Sequence, residues 1–193
     1  SYWLSYTRSH AKPVIETLVS MPLVLPPTVI GFYLLIAFSP ANWFGELLDE
    51  TFNLQLVFSF EGLIIASIIY SLPFMVHPIQ SGFNSIPVSY SEASFVMGKS
   101  RMTTLFKVLI PNIRFSILTG IVLTFAHTIG EFGVVLMIGG NIPGETQGLS
   151  IAIYDHVETL EYDQAHILSA GMLGFAFVVL VTLYLVNGRF SQG

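Results

Sequence analysis

Pro87 to Pro111 reads PVSYSEASFVMGKSRMTTLFKVLIP and gathers polar, amphipathic and basic character between long apolar runs. Three of the seven Lys and Arg residues, Lys99, Arg101 and Lys107, lie inside it, and Arg114 follows just after. Two short helices are expected. Ser89 with Glu92 three residues on has the spacing of a capping box, in which the hydroxyl takes a free backbone N–H and the carboxylate reaches back. Gly98 should end that helix, because glycine accepts the left-handed turn that stops one. Ser100 can cap a second helix in which Met102, Leu105, Phe106 and Leu109 share one face, and Pro111 should close it. On pattern alone this is a re-entrant or surface connection between two membrane spans.

The flanking composition requires a membrane. Of 193 residues, 53% are hydrophobic and only 10% charged, with a mean hydropathy of +0.72; a soluble domain carries about 25% charged residues. A net charge of −5 and a pI near 5.4 leave no electrostatic footprint for nucleic acid. There is no cysteine, which excludes disulfides, thiolate metal sites and cysteine nucleophiles. The first residues lack the charged, apolar, then small pattern of a signal peptide. Ser1 to Leu4 looks like the tail of something longer, so at least one further span is expected before it.

Four spans are expected in an all-α integral membrane protein, arranged as one transmembrane domain over 1–193. Leu18 to Phe38 is 21 residues without a charge, enough at about 1.5 Å per residue to cross about 30 Å of hydrocarbon. Pro22, Pro26 and Pro27 should kink or break it, and broken backbone at membrane depth survives only when buried in protein or lining a cavity. Val57 to His77 is the second span, with Pro73 and Pro78 suggesting a kink near its end. Phe115 to Ile138 is the third, carrying His127 and Glu131. Ile167 to Asn187 is the fourth, ended by Gly188 and Arg189. Between them, Ser39 to Leu56 reads as an interfacial loop, and Leu149 to Val157 as a short surface helix.

Charge orients the spans. All seven Lys and Arg lie in the N-terminal stretch, in or just after the organising loop, or at the C-terminus. None lies in Ser39 to Leu56 or Gly139 to His166, which hold Glu46, Asp49, Glu50, Glu145, Asp155, Glu158, Glu161 and Asp163. Four spans put the basic segments on one side and both acidic loops on the other, and the positive-inside tendency makes the basic side cytoplasmic.

Glu92-Ala93-Ser94, three residues, Gly98, nine residues, then Val108-Leu109-Ile110-Pro111 resembles the EAA loop of ABC importer permeases. That pattern reads Glu-Ala-Ala, three residues, Gly, nine residues, Ile-x-Leu-Pro. Ser94 replaces the second alanine, and Val108 and Ile110 stand for Ile and Leu. Pro22-Leu23-Val24-Leu25-Pro26-Pro27, Gly130-Glu131-Phe132-Gly133 and Asn141-Ile142-Pro143-Gly144-Glu145-Thr146 are similar to segments of the molybdate branch of that family, of which sulfate permeases are close relatives.

The resemblance implies a MetI-like permease bundle in the inner membrane of a prokaryote. Its loop 87–111 would be the coupling helix that docks on a cytoplasmic ATPase through Glu92, Ala93, Ser94, Gly98 and Pro111. It also implies a second permease copy, two ATPase subunits that bind ATP and Mg, and a periplasmic or extracellular oxyanion-binding protein, with no cofactor on this chain. Gly130, Glu131, Asn141 and Glu145 belong to the shared motifs without an assigned role.

Residues that carry chemistry are sparse. His127 and Glu131, four apart, share a helix face, and an ionisable residue in a span is a functional candidate by default. A membrane-embedded hydrolase or metal site would need such a pair, but no HExxH, nucleophile elbow or phosphate loop accompanies it. A secondary transporter would need a repeated half and ion-coupling carboxylates, and the chain shows neither. Pro26, Pro27, Thr124, His127 and Thr128 are candidates for a translocation path, with Thr119, Thr124, His127 and Thr128 as its neutral donors. Weak polar lining suits conduction, since tight binding slows release; helix-to-helix hydrogen bonding is the alternative for each threonine.

Overall fold

The computed structural model describes the backbone of residues 1–190 and the side chains of residues 1–185. The chain runs through α1 (Tyr2–Tyr6), α2 (Lys12–Val24), α3 (Pro27–Phe38), α4 (Trp43–Phe52), α5 (Phe60–Ser85), α6 (Val88–Val96) and α7 (Arg101–Thr104). A π-turn at Leu105–Leu109 leads into α8 (Ile110–Asn112), followed by α9 (Arg114–Gly130), α10 (Gly133–Gly139), α11 (Leu149–Glu158) and α12 (Tyr162–Phe190). No strand occurs among the described residues.

The bundle is built on α5. Ser59 starts it by accepting the Gly62 amide at 3.1 Å, which satisfies one of the donors a helix start leaves free. Helix α9 packs antiparallel along it, with Ser71 hydrogen-bonded to Thr128 at 2.9 Å, Met75 beside Gly120, and Gly82 beside Ser116. A Cβ on Gly82 would sit 2.5 Å from Ser116 Oγ, and one on Gly120 2.9 Å from Met75 Sδ. One glycine on each helix therefore allows the axes to approach closely, the usual route to tight packing where lipid removes the hydrophobic drive. On other faces, α1 reaches α5 through Ser1 Oγ to the Val76 carbonyl and Tyr6 Oη to that of Phe83. Helix α2 reaches it through Gln80 Nε2 to Glu16 Oε1 at 2.7 Å and Ser20 to His77 at 3.2 Å.

Two buried clusters sit at opposite ends of α5. Phe38, Leu56, Ala66, Tyr70, Val134 and Ile138 form one, next to the acidic loops. Phe83, Leu109 and Ile113 form the other, against the basic loop. Basic and acidic segments thus occupy opposite ends of the bundle.

Several expected boundaries move. Leu18 to Phe38 is not one helix: Leu25 is extended (ψ 141°), Pro26 has ψ 137°, and α3 leaves α2 at 115°. Each proline disfavours helical backbone in the residue before it, and Pro27 suits the first position of the new helix. Phe115 to Ile138 is also divided, because α9 ends at Gly130 and α10 begins at Gly133. Conversely, α5 passes both Pro73 and Pro78 and continues to Ser85. The last helix continues through Gly188 to Phe190, while the Arg189 side chain, expected on the basic side, lies outside the described residues. The interfacial stretch Ser39 to Leu56 contains α4, with Trp43 and Phe52 exposed and Asn53 closing it at φ 51°. By length and composition, Phe60–Ser85 and Tyr162–Leu185 can each cross a membrane, and the number rises to four if each bent pair is one span.

Candidate functional site

Helix α6 starts two residues earlier than the capping-box spacing predicts. Pro87, at φ −56° and ψ 137°, occupies the cap position with no side-chain bond, so Ser89 lies inside the helix. Ser91 Oγ instead donates to the Val88 carbonyl at 2.8 Å. Glu92 and Ala93 are exposed on α6, and Ser94 is buried. Gly98 sits at φ +72°, and the Lys99 amide returns to the Ser94 carbonyl at 3.1 Å. Ser100 caps α7 as expected, accepting the Thr103 amide at 3.2 Å.

A buried hydroxyl pair joins the two short helices. Ser94 Oγ and Thr104 Oγ1 are 2.8 Å apart, at 2% and 1% exposure, and Thr104 also donates to the Ser100 carbonyl. The apolar face expected beyond it divides. Leu109 is buried and Leu105 half-buried, whereas Met102 and Phe106 are exposed. The π-turn, with more residues per turn, rotates the residues after Thr104 out of α-helical register and parts Phe106 from Leu109, while Met102 lies before it, exposed on α7. Pro111 does not close the helix; it lies inside α8 and is exposed. The wide turn just before it relieves the clash that a proline ring makes with the carbonyl four residues back. The chain then bends by 70° into α9.

The motif residues of the two divided helices meet elsewhere. A Cβ on Gly133 would lie 2.8 Å from Pro27 Cβ and 3.2 Å from the Thr28 amide, so the starts of α3 and α10 touch. Pro26 is exposed and Pro27 half-buried. Just before this contact, Gly130 ends α9, and Glu131 is buried at 6% exposure. Glu131 Oε1 accepts the Val134 amide at 3.0 Å, and its carbonyl accepts Ser150 Oγ. His127 is stacked on Phe74 and Tyr70, with ring centroids 4.0 and 5.0 Å away. Its Nε2 is buried without a hydrogen bond, as is Thr124 Oγ1. Thr128 is held by Ser71 and donates to the Thr124 carbonyl. Among the described residues no three His, Cys, Asp or Glu come together as a metal would need.

At the acidic end, Asn141 (φ 57°) turns its amide onto both Asp155 oxygens at 3.2 and 2.9 Å, and Gln147 joins at 2.9 Å. Thr146 accepts the Ile142 amide and donates to the Gly139 carbonyl, which ties the loop shut, and Glu145 is left exposed. Nearby, Tyr154 donates to Glu158, and this bond, with the carboxylate charge, holds the phenol above its usual pKa. Four partners found here escape a reading of motifs: Thr104, Ser71, Asp155 and the Glu16–Gln80 pair. Each joins residues far apart in sequence or drawn from different helices, and periodicity carries no such signal.

The family model of the inner membrane component of binding-protein-dependent transport systems matches residues 3–190. The chain belongs to this family. As a member, it is 47% identical over 193 residues to the molybdenum transport system permease protein ModB of Azotobacter vinelandii, covering all of this chain and 85% of that one. It is 38% identical over 152 residues to the putative molybdenum transport system permease protein YvgM of Bacillus subtilis (strain 168), covering 79% and 67%. The sulfate transport system permease protein CysT of Escherichia coli (strain K12) is 27% identical over 189 residues, covering 98% and 68%. Membership makes this an all-α, multi-pass transport subunit with the MetI-like permease fold.

Proposed function

We propose that the chain is the permease subunit of an ATP-binding-cassette importer that carries molybdate across the inner membrane of a prokaryote. The observation that carries this reading is 47% identity along the entire chain to a molybdenum permease, against 27% to a sulfate permease. Two copies of the chain would form the path. Two partner ATPases, holding ATP and Mg, would bind at the basic end, and an oxyanion-binding protein outside the cytoplasm would deliver cargo at the acidic end.

In this reading α6 is the coupling helix. Glu92 and Ala93 face outward for docking, Ser94 and Gly98 set the angle, and Pro111 with the π-turn carries motion into α9. Closure of the ATPases on ATP draws the two coupling helices together, and the bend at Pro26 lets the attached helices swing. Pro26, Pro27, Thr124, His127 and Thr128 line or shape the path; the unpartnered polar atoms of Thr124 and His127 support that assignment. Uptake by the assembled importer tests the cargo. Labelled molybdate should be displaced by excess tungstate and far less by sulfate. Sulfate competing as well as tungstate moves the chain to the sulfate branch.

A further inference from the structure

Glu131 is a carboxylate at 6% exposure in an otherwise uncharged run, a placement that is costly unless the group is bonded. Two groups compete to explain it. His127 Nε2 lies 3.9 Å from Glu131 Oε2, beyond the 2.7–3.2 Å of an ordinary hydrogen bond. The Val134 amide lies 3.0 Å from Oε1, within that range and in the first turn of α10, where a helix has free donors and favours negative charge. The backbone carbonyl of the same residue holds Ser150 of α11. Two residues on, Gly133 meets Pro27 where α3 begins, and farther along Gly31 packs on Val134 and Met137.

From this geometry we infer that Glu131 is a positioning residue: its carboxylate caps α10 and so fixes the break in the third span where that break crosses the one at Pro26. The essential property is a hydrogen-bond acceptor at the end of the side chain, aimed at the Val134 amide. Neither proton exchange with His127 nor contact with cargo is part of the role. With the cap in place, α9, α10 and α11 keep one mutual arrangement against α3, and a motion entering through α9 reaches α3 as a rigid displacement. Without it the first turn of α10 frays and the motion is lost at the junction.

Two near-isosteric substitutions separate the acceptor from the charge. Glu131→Gln keeps an oxygen acceptor at the same reach and removes the charge; Glu131→Met keeps the length and removes the acceptor. The inference rests on the importer reading, so it is measured in the whole importer, reconstituted with its ATPase and binding protein, as molybdate uptake. Glu131→Gln should keep maximal uptake within about twofold of the parent. Glu131→Met should lower it at least about tenfold at unchanged half-saturation and unchanged membrane level, since α10 does not bind cargo. A second readout needs no cargo. In the cysteine-free chain, a single Val134→Cys at a site with 0% exposure should resist a membrane-permeant maleimide in the parent and in Glu131→Gln, and react in Glu131→Met. Uptake lost equally in both variants would show that the charge matters and overturn the inference. So would parental uptake in Glu131→Met, or an equally protected cysteine there. A parent that carries no molybdate would refute the cargo assignment, and the cysteine readout would still decide the role of Glu131.

Discussion

Ser94 and Thr104 show what a single hydroxyl does in the candidate coupling loop. Thr104→Val leaves Ser94 Oγ buried without its partner, a loss worth about 1–3 kcal/mol. Ser94→Ala leaves Thr104 still bonded to the Ser100 carbonyl and should cost less. Removing both hydroxyls should recover much of the loss, which thermal unfolding of the purified complex can read as a double-mutant cycle. Gly98 obeys a different logic. A Cβ there meets nothing within 4 Å, so the entire penalty of Gly98→Val is backbone strain at φ +72°, about 1–3 kcal/mol. Membrane level should stay near the parental value, while the ATPase loses its response to the loaded binding protein. Parental transport by this variant would reduce the loop to a mere connection. Gly98 and Ser100 were legible in the sequence because turn and cap chemistry are local. The Ser89–Glu92 capping box does not form, since Pro87 caps the helix two residues earlier and no short-range pattern decides between two such close starts.

At the scale of the helices, α5 and α9 pack through Gly82 and Gly120, and the two should differ in tolerance. The added methyl of Gly82→Ala meets Ser116 Oγ at 2.5 Å, Ser116 Cβ at 2.7 Å and Ile113 Cβ at 3.1 Å, atoms close to the backbone that have little room to shift. At Gly120→Ala the nearest atom, 2.9 Å away, is the Met75 sulfur, on a flexible side chain. Gly82→Ala should therefore lower stability by about 1–3 kcal/mol, with Ser116→Gly restoring part of it, and Gly120→Ala should cost less. Equal costs in a thermal-unfolding assay of the detergent-solubilised complex would contradict this packing. Apolar runs located these helices well, but the breaks were only half legible. The prolines at 22, 26 and 27 announced a disruption, yet nothing in the run around Glu131 announced that α9 stops at Gly130. That break depends on a carboxylate capping the next helix and a glycine meeting Pro27, and both contacts belong to the tertiary structure.

Over the whole molecule, charge and hydropathy define an axis. Helix α12 has an 18-residue window of mean hydropathy 2.2 with 6% of it buried within the chain, a surface that suits lipid or a second copy and not water. The basic and acidic ends lie beyond opposite ends of α5, as charge counting alone predicts. Single cysteines at Asn53, Ser100 and Gln147, all exposed, can be labelled without interference in a chain that has no cysteine of its own. An impermeant thiol reagent applied to intact cells should reach positions 53 and 147 and miss position 100; labelling at 100 would invert the molecule. The central claim is that a separate ATPase drives this chain through α6. Its most direct test is reconstitution of the tagged permease with the ATPase that co-purifies with it and the binding protein. ATP hydrolysis should rise when molybdate-loaded binding protein is added, molybdate should accumulate only with ATP, and Gly98→Val should abolish the rise. Molybdate uptake without ATP, or a permease that retains no ATPase, would contradict it.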